Sequence, residues 1–401
     1  MRTGANGSEI KHIIGEYALA GVDYDKMQPF KDLMDEIFRA TDTFPNRYGV
    51  YVIRAEQSHG AHFDYMGPHQ TDFRLSMTSE GLGNKNWVSE RLRLQLGPEC
   101  QNTYYHHIGE ETVLMAVNDV ITCGAQPVCY TFMVEAGDSD WYTDLERARD
   151  LANGMVELCE RIGMAIPAGE SASLKYLVRA AEPVKSAPTF SGCAIGITAP
   201  KSRFVGGENL QAGDVILGAR SSGMHSNGIS LVIVRGESLP DKFLTKLDDG
   251  LTFGEHVLKP TMCYVGLVQG LLDEGIEIHS FLPGTGDGVA KLAFDKRPFT
   301  YRVFNWLEED KIPLLFRFML EIGVDPYDIL TTFNCGIGYY VFVPRSEVNR
   351  AIAAAGKHNY KLMEIGQVER GERCTYIDTQ FLGAEPGLVL PPPGGKWRIE
   401  K

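Results

Sequence analysis

Apolar residues recur along the first half of the chain at spacings that alternate between those of helices and strands. The apolar side chains of residues 27–40 fall three and four positions apart, which predicts a helix there. The same criterion predicts further helices over 9–17, 108–124 and 141–162. Continuous apolar runs predict buried strands over 127–134 and 191–198, and shorter strands are expected to end near Glu80 and Glu170.

The second half repeats this alternation of elements. Strands are predicted over 215–219, after 276, within 329–343 and over 363–368, the last of these expected to be the final strand; helices are predicted over 261–274 and 347–355. The proline-rich end at 391–395 is not expected to be compact. The chain has 401 residues, of which 44% are hydrophobic, so it can form two domains. We place them at 1–200 and 201–401.

A polar loop separates two apolar runs at 221–228, with the sequence Ser-Ser-Gly-Met-His-Ser-Asn-Gly. Gly223 and Gly228 let the backbone approach a ligand closely, and N–H groups at the start of a following helix bind anions. His225 and Asn227 can add side-chain hydrogen-bond donors. The loop therefore predicts a phosphate site, although an ordinary glycine- and serine-rich turn remains the alternative.

Acidic side chains at the ends of predicted elements suggest a second site. Glu80 precedes a Gly-x-Gly turn that continues to Lys85, and Asn118 and Asp119 lie inside a largely apolar helix. Oxygen ligands of this kind suit Mg²⁺, which shares its coordination with phosphate oxygens. Two alternatives stay open: the Asn-Asp pair bonds neighbouring backbone, and Glu170 is simply solvated.

Three histidines fall in a polar segment at 58–72. His59, His62 and His69, with Asp64, offer metal ligands, but their spacing differs from that of structural zinc sites. A solvated or lid-like loop is the preferred interpretation, and a metal site stays open.

Charge and cysteine content limit which partners the protein is expected to bind and which compartment it is expected to occupy. The formal net charge is −13, and no dense basic cluster is present, which argues against nucleic acid or an anionic membrane as partner. The eight cysteines are scattered without Cys-x-x-Cys spacing, which favours reduced thiols in a cytoplasm. We find no secretory signal and no apolar run near the roughly 18 residues that span a bilayer.

Several motifs occur in an order that resembles the aminoimidazole ribonucleotide synthetase family, the cyclo-ligases of purine biosynthesis. They are Ala116-Val-Asn-Asp119, Gly124-Ala-Gln-Pro127, Ala168-Gly-Glu170, Ser221-Ser-Gly-Met-His-Ser-Asn-Gly228, Leu258-Lys-Pro-Thr261, Val303-Phe-Asn-Trp-Leu307 and Thr332-Phe-Asn-Cys-Gly-Ile-Gly338. The resemblance covers about residues 15–370. It implies a mixed α/β (α+β) fold of two domains, with the N-terminal sheets of two protomers pairing in a homodimer and ATP bound near that interface.

The resemblance also implies an activity, in which ATP phosphorylates an amide-type oxygen of formylglycinamidine ribonucleotide and an internal nitrogen closes the imidazole ring. His225, Asn227 and Asp119 are then the expected catalytic residues, and Asp119, Glu80 and Glu170 the Mg²⁺ ligands. Further nucleotide contacts are expected from Gly81, Gly83, Lys85, Asn118, Gly169, Ser222, Gly223 and Ser226. The chain has no P-loop sequence.

Some positions depart from the family pattern. Ala18-Leu19 replaces a Lys-Asp pair, Ser173 replaces a second carboxylate, and Phe281 stands where the family has a histidine, with His279 two positions earlier. A divergent ATP-using paralogue, or a nucleotide-binding protein without turnover, therefore stays as the alternative function.

Overall fold

A computed structural model describes residues 22–54, 61–67 and 72–395 of the chain. The predicted helix over 9–17, the departures at Ala18 and Leu19, and His59 and His69 lie outside these residues. The strands are β1 Val50–Ile53, β2 His62–Tyr65, β3 Arg74–Gly81, β4 Gln126–Ala136, β5 Ala165–Ser173, β6 Thr189–Thr198, β7 Val215–Arg220, β8 Ser280–Pro283, β9 Phe299–Val303, β10 Ile337–Val343, β11 Leu362–Arg370, β12 Cys374–Ile377 and β13 Leu388–Leu390.

The α-helices occur singly or in groups between these strands, and several short 3₁₀ segments connect them. They are α1 Tyr24–Arg39, α2 Lys85–Leu96, α3 His106–Val120, α4 Leu145–Ile162, α5 Ile229–Ser238, α6 Phe253–Val257, α7 Val265–Asp273, α8 Leu314–Glu321, α9 Pro326–Thr332 and α10 Val348–Lys357. Within the described part of the chain, none of the helices has the length and apolar character needed to span a bilayer.

The N-terminal half contains a four-stranded sheet in the order β3-β6-β4-β5, antiparallel except for the pair β4 and β5. Helix α3 packs on one face of β3 and β6, and α4 packs on α3 and α1. The predicted helix over 141–162 begins slightly later, because the Asp144 side chain accepts from the Arg147 N–H and so caps α4. Gly163 ends it with φ 79°.

The hairpin of β1 and β2 modifies the prediction for the histidine segment. His62 opens β2 and pairs with Ile53, so this part is a strand rather than a loop. Val50 packs with Cys129 and Ile197 in a small apolar cluster separate from the main core. The hairpin thus covers one end of the sheet face that α3 leaves free.

The C-terminal half is built on a seven-stranded sheet in the order β13-β12-β9-β11-β7-β10-β8, antiparallel except for β12 and β9. Strand β7 lies between β11 and β10, and residues 215–219 are all buried, as their apolar run predicts. The expectation that 363–368 is the final strand was wrong, because β12 and β13 follow. In the proline-rich end, Pro391 is buried directly after β13, whereas Gly394 and Gly395 are exposed.

The main apolar core is continuous between the two halves. It includes Leu92 and Val120 from the N-terminal half and Phe253, Leu267 and Tyr339 from the C-terminal half. Because this shared core holds the sheets together, side chains from both halves form fixed walls of the cavities between them.

Candidate functional site

The loop 221–228 joins β7 to α5, and the Phe-Asn-Cys-Gly corner before β10 holds it in place. The Asn334 Nδ2 group donates to the carbonyl of Gly223 at 2.8 Å, and its Oδ1 accepts from the Ser221 hydroxyl at 2.8 Å. The same oxygen accepts the Gly336 N–H at 2.9 Å. Two motifs that are 113 residues apart in the sequence are therefore one structural unit.

His225 lies at the centre of this loop in a backbone conformation that is unusual for a residue with a side chain. Its φ is 60°, and its ring is buried with no hydrogen-bond partner for either nitrogen among the described residues. Burial lowers the pKa of His225 to about 3, and the nearby Lys85 charge adds to this effect. The imidazole is therefore neutral at physiological pH.

A glycine on β10 makes room for this ring. A Cβ added to Gly338 would lie 2.5 Å from Cε1 of His225 and 2.1 Å from the Tyr264 hydroxyl oxygen. The Tyr264 ring lies 6.1 Å from that of His225 and stacks on Tyr339 at 5.0 Å. His225 thus lies in an aromatic pocket that a larger residue at 338 would close.

Lys85 and Glu111 form a fully buried ion pair beneath the loop. Lys85 Nζ donates to the Glu111 carboxylate and to the carbonyls of His225 and Lys259, both at 2.9 Å. The Glu111 carboxylate also accepts the Ser226 hydroxyl at 2.8 Å and the Thr261 N–H at 3.0 Å. The amino group of Lys85 is therefore engaged inside the protein.

Asn118 is also engaged with the protein interior. Its Nδ2 group donates to the Met262 carbonyl at 2.9 Å, and its Oδ1 accepts the Tyr264 N–H at 3.1 Å. The structure thus shows the alternative kept for this residue, in which a buried amide bonds backbone within the protein. These bonds also fix the segment before α7, which explains why that helix begins at Val265 rather than near Thr261.

Asp119, the next residue, has a different environment. Burial raises the pKa of its carboxyl group to about 6, while the Lys291 charge opposes this and the Glu80 charge adds to it. Glu80 therefore lies close enough for its charge to act on Asp119, and Lys291 is a second charged group near Asp119.

A cavity of about 860 Å³ opens beside Asp119, between the two halves of the molecule. Thr78 and Asp119 contribute from the N-terminal half, and Phe281, Lys291 and Arg373 from the C-terminal half. The volume lies in the range of small-molecule sites. Lys291 Nζ donates to the Thr285 carbonyl at 2.7 Å, which holds it at the cavity wall.

Glu170 does not join this group within one chain. Glu80 lies on β3 and Glu170 on β5, the two outer strands of the sheet, so three inter-strand spacings, about 14 Å, separate their backbones. Glu170 lies 3.8 Å from Lys31 and, with Gly169, lines another cavity of about 480 Å³. The predicted set of three Mg²⁺ ligands therefore cannot form in a single protomer.

The remaining predicted nucleotide contacts mostly serve the loop itself. Ser222 donates to the Pro260 carbonyl, and Gly83, with φ 71°, faces the Ser226 carbonyl. Asn227 keeps a buried Nδ2 group without a partner among the described residues. A Cβ added to Gly81 or Gly223 would make only ordinary van der Waals contacts, so both positions have space for a side chain.

A different group of side chains has the geometry for a metal. His106, His107 and Glu110, at the start of α3, have possible ligand atoms within 4.8 Å of one another, and no other such group of three occurs in the described residues. Asp119 and Glu80 are therefore a pair of carboxylates that needs further ligands to hold an ion.

The sequence of the chain is similar to two family models and to proteins named as cyclo-ligases. Residues 71–198 match the family model of AIR synthase related protein, N-terminal domain, and residues 211–378 match that of the C-terminal domain. A phosphoribosylformylglycinamidine cyclo-ligase of Pyrococcus horikoshii is 31% identical over 355 residues, covering 88% of this chain and 94% of the relative. The chain belongs to the AIR synthase related family.

Other members and solved structures are consistent with this family. The phosphoribosylformylglycinamidine cyclo-ligase of Rippkaea orientalis is 29% identical and covers 91% of this chain and 99% of its own length. The solved structure of hydrogenase maturation protein HypE in complex with ATP has a TM-score of 0.56 at 19% identity, covering 90% of this chain and 94% of that one. The family fold expected from the motifs is thereby confirmed.

In this AIR synthase related chain, sequence reasoning missed three residues that the geometry makes prominent: Glu111, Lys291 and Asn334. Glu111 follows another glutamate in an apolar helix, and a charge at such a position needs a buried partner. That signal was available from the sequence. Lys291 had none, because its neighbours in the cavity are distant along the chain.

Proposed function

We propose that this chain is a phosphoribosylformylglycinamidine cyclo-ligase, which converts ATP and formylglycinamidine ribonucleotide into aminoimidazole ribonucleotide, ADP, phosphate and a proton. The observation that carries the proposal is the cavity of about 860 Å³ with Asp119 on one wall and Lys291 on another. Its two signs of charge fit a metal-bound polyphosphate, and the named relatives at about 30% identity support the choice of substrate.

Ring closure requires an oxygen to leave the carbon that the internal nitrogen of the substrate attacks. An amide-type oxygen leaves poorly, so the γ-phosphoryl group of ATP is first transferred to it, which releases ADP. The internal amine then attacks the same carbon, the carbon–oxygen bond breaks, phosphate departs and the nitrogen loses a proton. The protein must position the reactants and neutralise the charge on the moving phosphoryl group.

Asp119 and Glu80 fit an Mg²⁺ ion by their chemistry. They are oxygen ligands. Burial raises the pKa of Asp119 and the Glu80 charge adds to this, so a cation beside the two carboxylates would offset both effects. The ion would neutralise phosphate charge during transfer. Lys291 would bind phosphate oxygens from the other wall. HypE, which shares the fold, has been solved with ATP, and this supports ATP as the nucleotide.

His225 and Asn227 supply buried polar atoms that have no hydrogen-bond partner among the described residues, which is the pattern of a loop that bonds a substrate or a phosphate. A histidine with a pKa of about 3 carries no charge at neutral pH. We therefore propose that His225 orients the substrate through its neutral ring and does not act as a cationic acid. Its link to the carboxylate pair runs through Tyr264, which neighbours His225 and bonds Asn118.

We further propose that the chain acts as a homodimer through the free face of the N-terminal sheet. Leu75 and Met77 on β3 are 50% and 69% exposed, and Met133 on β4 is 39% exposed, which makes an apolar surface on a sheet. We propose in addition that Glu170 of one protomer contributes to the site of the other across this dimer. All eight cysteines are unpaired, which supports a reducing, cytoplasmic location.

A direct assay tests the activity. The purified chain, given ATP, Mg²⁺ and formylglycinamidine ribonucleotide, is expected to form ADP and aminoimidazole ribonucleotide in equal amounts, measured by mass spectrometry. Lys291→Met should lower turnover, whereas Lys246→Met, a matched change at an exposed site, should not. ATP binding without ring closure would reject the proposal and favour a paralogue that uses ATP on another substrate.

A mixing experiment tests the shared site. Asp119→Asn and Glu170→Gln are each expected to be inactive alone. If the site combines both protomers, an equimolar mixture of the two variants regains roughly a quarter of wild-type activity, since about half of the dimers are mixed and each of these has one intact site of two. No recovery in dimers shown by mass spectrometry to be mixed would place Glu170 outside the site.

A further inference from the structure

We propose that Lys85 and Glu111 are positioning residues that hold the His225 loop against the N-terminal half, and that Lys85 does not bind the nucleotide. This inference rests on the proposed function, because the loop matters only if it meets a substrate. It replaces the nucleotide contact that the strand-end position of Lys85 suggested.

The hydrogen bonds of Lys85 leave no donor for a phosphate. An ammonium group has three N–H donors, and Lys85 uses them for the Glu111 carboxylate, the His225 carbonyl and the Lys259 carbonyl. The side chain is 0% exposed. Neither the cavity beside Asp119 nor the one beside Glu170 includes Lys85 in its wall. A phosphate would have to displace one of these bonds to reach it.

Glu111 completes the link from the other side. Its two oxygens accept from Lys85, from the Ser226 hydroxyl and from the Thr261 N–H. Lys85 begins helix α2 and Glu111 lies within helix α3, and both helices belong to the N-terminal half. Their loop partners all belong to the C-terminal half. One buried ion pair therefore fixes two C-terminal loops, 225–226 and 259–261, on the N-terminal half.

The hydrogen bonds that Lys85 and Glu111 make explain why a charged pair lies at this position. Lys85 bonds the carbonyl of His225 itself, whose φ of 60° is unfavourable for a residue with a Cβ. Ser226, the next residue, is held by Glu111. The pair thus fixes the His225 carbonyl and the Ser226 side chain that follows it, and it uses neither ring nitrogen of His225.

Three variants test this role: Lys85→Met, Glu111→Gln and the double variant. Lys246→Met and Glu146→Gln are matched controls, because both side chains are exposed. Each is measured for ATP affinity by calorimetry, for kcat and KM, and for amide hydrogen exchange at 224–228. The double variant has no unpaired buried charge, so it is expected to fold even if Lys85→Met does not.

If the pair positions the loop, each single variant and the double variant lower kcat by roughly 10²-fold, since small misplacements of reacting groups have effects of this size. ATP affinity stays within about threefold of wild type, because the nucleotide does not contact Lys85. Exchange at 224–228 becomes faster, and the controls change none of these quantities.

A different pattern overturns the proposal. If Lys85→Met weakens ATP binding by roughly 10²-fold while Glu111→Gln leaves it unchanged, Lys85 binds phosphate. Unchanged exchange at 224–228 in the double variant would also reject a positioning role. A wild-type chain that binds ATP but closes no ring refutes the proposed function alone, since the exchange and affinity measurements still report on the pair.

Discussion

Glu80 and Lys85 lie five positions apart at the same strand-end turn, yet the fold gives their charges opposite surroundings. Lys85 is buried beside Glu111, and all of its donors are bonded within the protein. Glu80 lies near Asp119, a charge of the same sign, and adds to the raised pKa of that residue. The Lys85 charge is compensated inside the protein, whereas the Glu80 charge makes the ionisation of Asp119 less favourable.

This difference separates structural charges from functional ones. A buried ion pair that is fully hydrogen bonded holds parts of the protein together and has little capacity left for a ligand. Two neighbouring carboxylates repel each other and destabilise the protein when no ligand is bound. This repulsion is offset only when a cation binds. The carboxylate pair is therefore the better candidate for chemistry, and the Lys85–Glu111 pair for its support.

The largest effect is expected when the compensated pair is broken. Lys85→Met leaves the Glu111 carboxylate buried without a cation and should lower the free energy of unfolding by about 3–5 kcal/mol. Adding Glu111→Gln should recover part of that loss, which urea denaturation of both variants can measure. A double variant that is as unstable as the sum of the single ones would show that the two side chains act independently.

The carboxylate pair should respond in the opposite direction. Asp119→Asn is expected to lower kcat by about 10²–10³-fold, as removal of a group that stabilises transition-state charge does. The same change should raise the free energy of unfolding at pH 8 by about 1–3 kcal/mol, because it removes an ionised group whose pKa burial has raised. A variant that loses both activity and stability would contradict this interpretation.

Gly338→Ala tests the space around the His225 ring. The added methyl group would overlap the Tyr264 hydroxyl and the ring of His225, so we expect a loss of about 1–3 kcal/mol in stability, typical of overpacking, with reduced kcat. Thermal denaturation and steady-state kinetics measure the two effects. Gly356→Ala is a suitable control, since a Cβ there meets no atom within 4 Å.

The smallest effect is expected from pH alone. Asp119, with a pKa of about 6, must be ionised to hold a cation, so kcat/KM should be constant above about pH 7 and fall roughly tenfold per unit well below pH 6. The free energy of unfolding should change in the opposite direction. It rises as the pH falls from 6 towards 3.8, because protonation of Asp119 removes the cost of burying its charge. The Asp119→Asn variant should lose this inflection, and its persistence would assign it to another group.

The sequence by itself determined the elements and much of the candidate chemistry. Periodicity is a local property, so it predicted α4 and the buried strand β7 without knowledge of the fold. The glycine-rich loop at His225 and the acid at position 119 were also identified, because unusual residues within apolar runs stand out locally.

Only the tertiary structure decided which of these residues meet and which charges are paired. Glu111 and Lys291 gain their roles from neighbours that are far away in the chain, and Glu170 is separated from Glu80 by the order of strands in the sheet. The sequence predicted that Lys85 contacts the nucleotide, whereas in the structure it is buried beside Glu111. The physical reason is that pairing, burial and field strength depend on distances in space, which the spacing of residues along the chain does not fix.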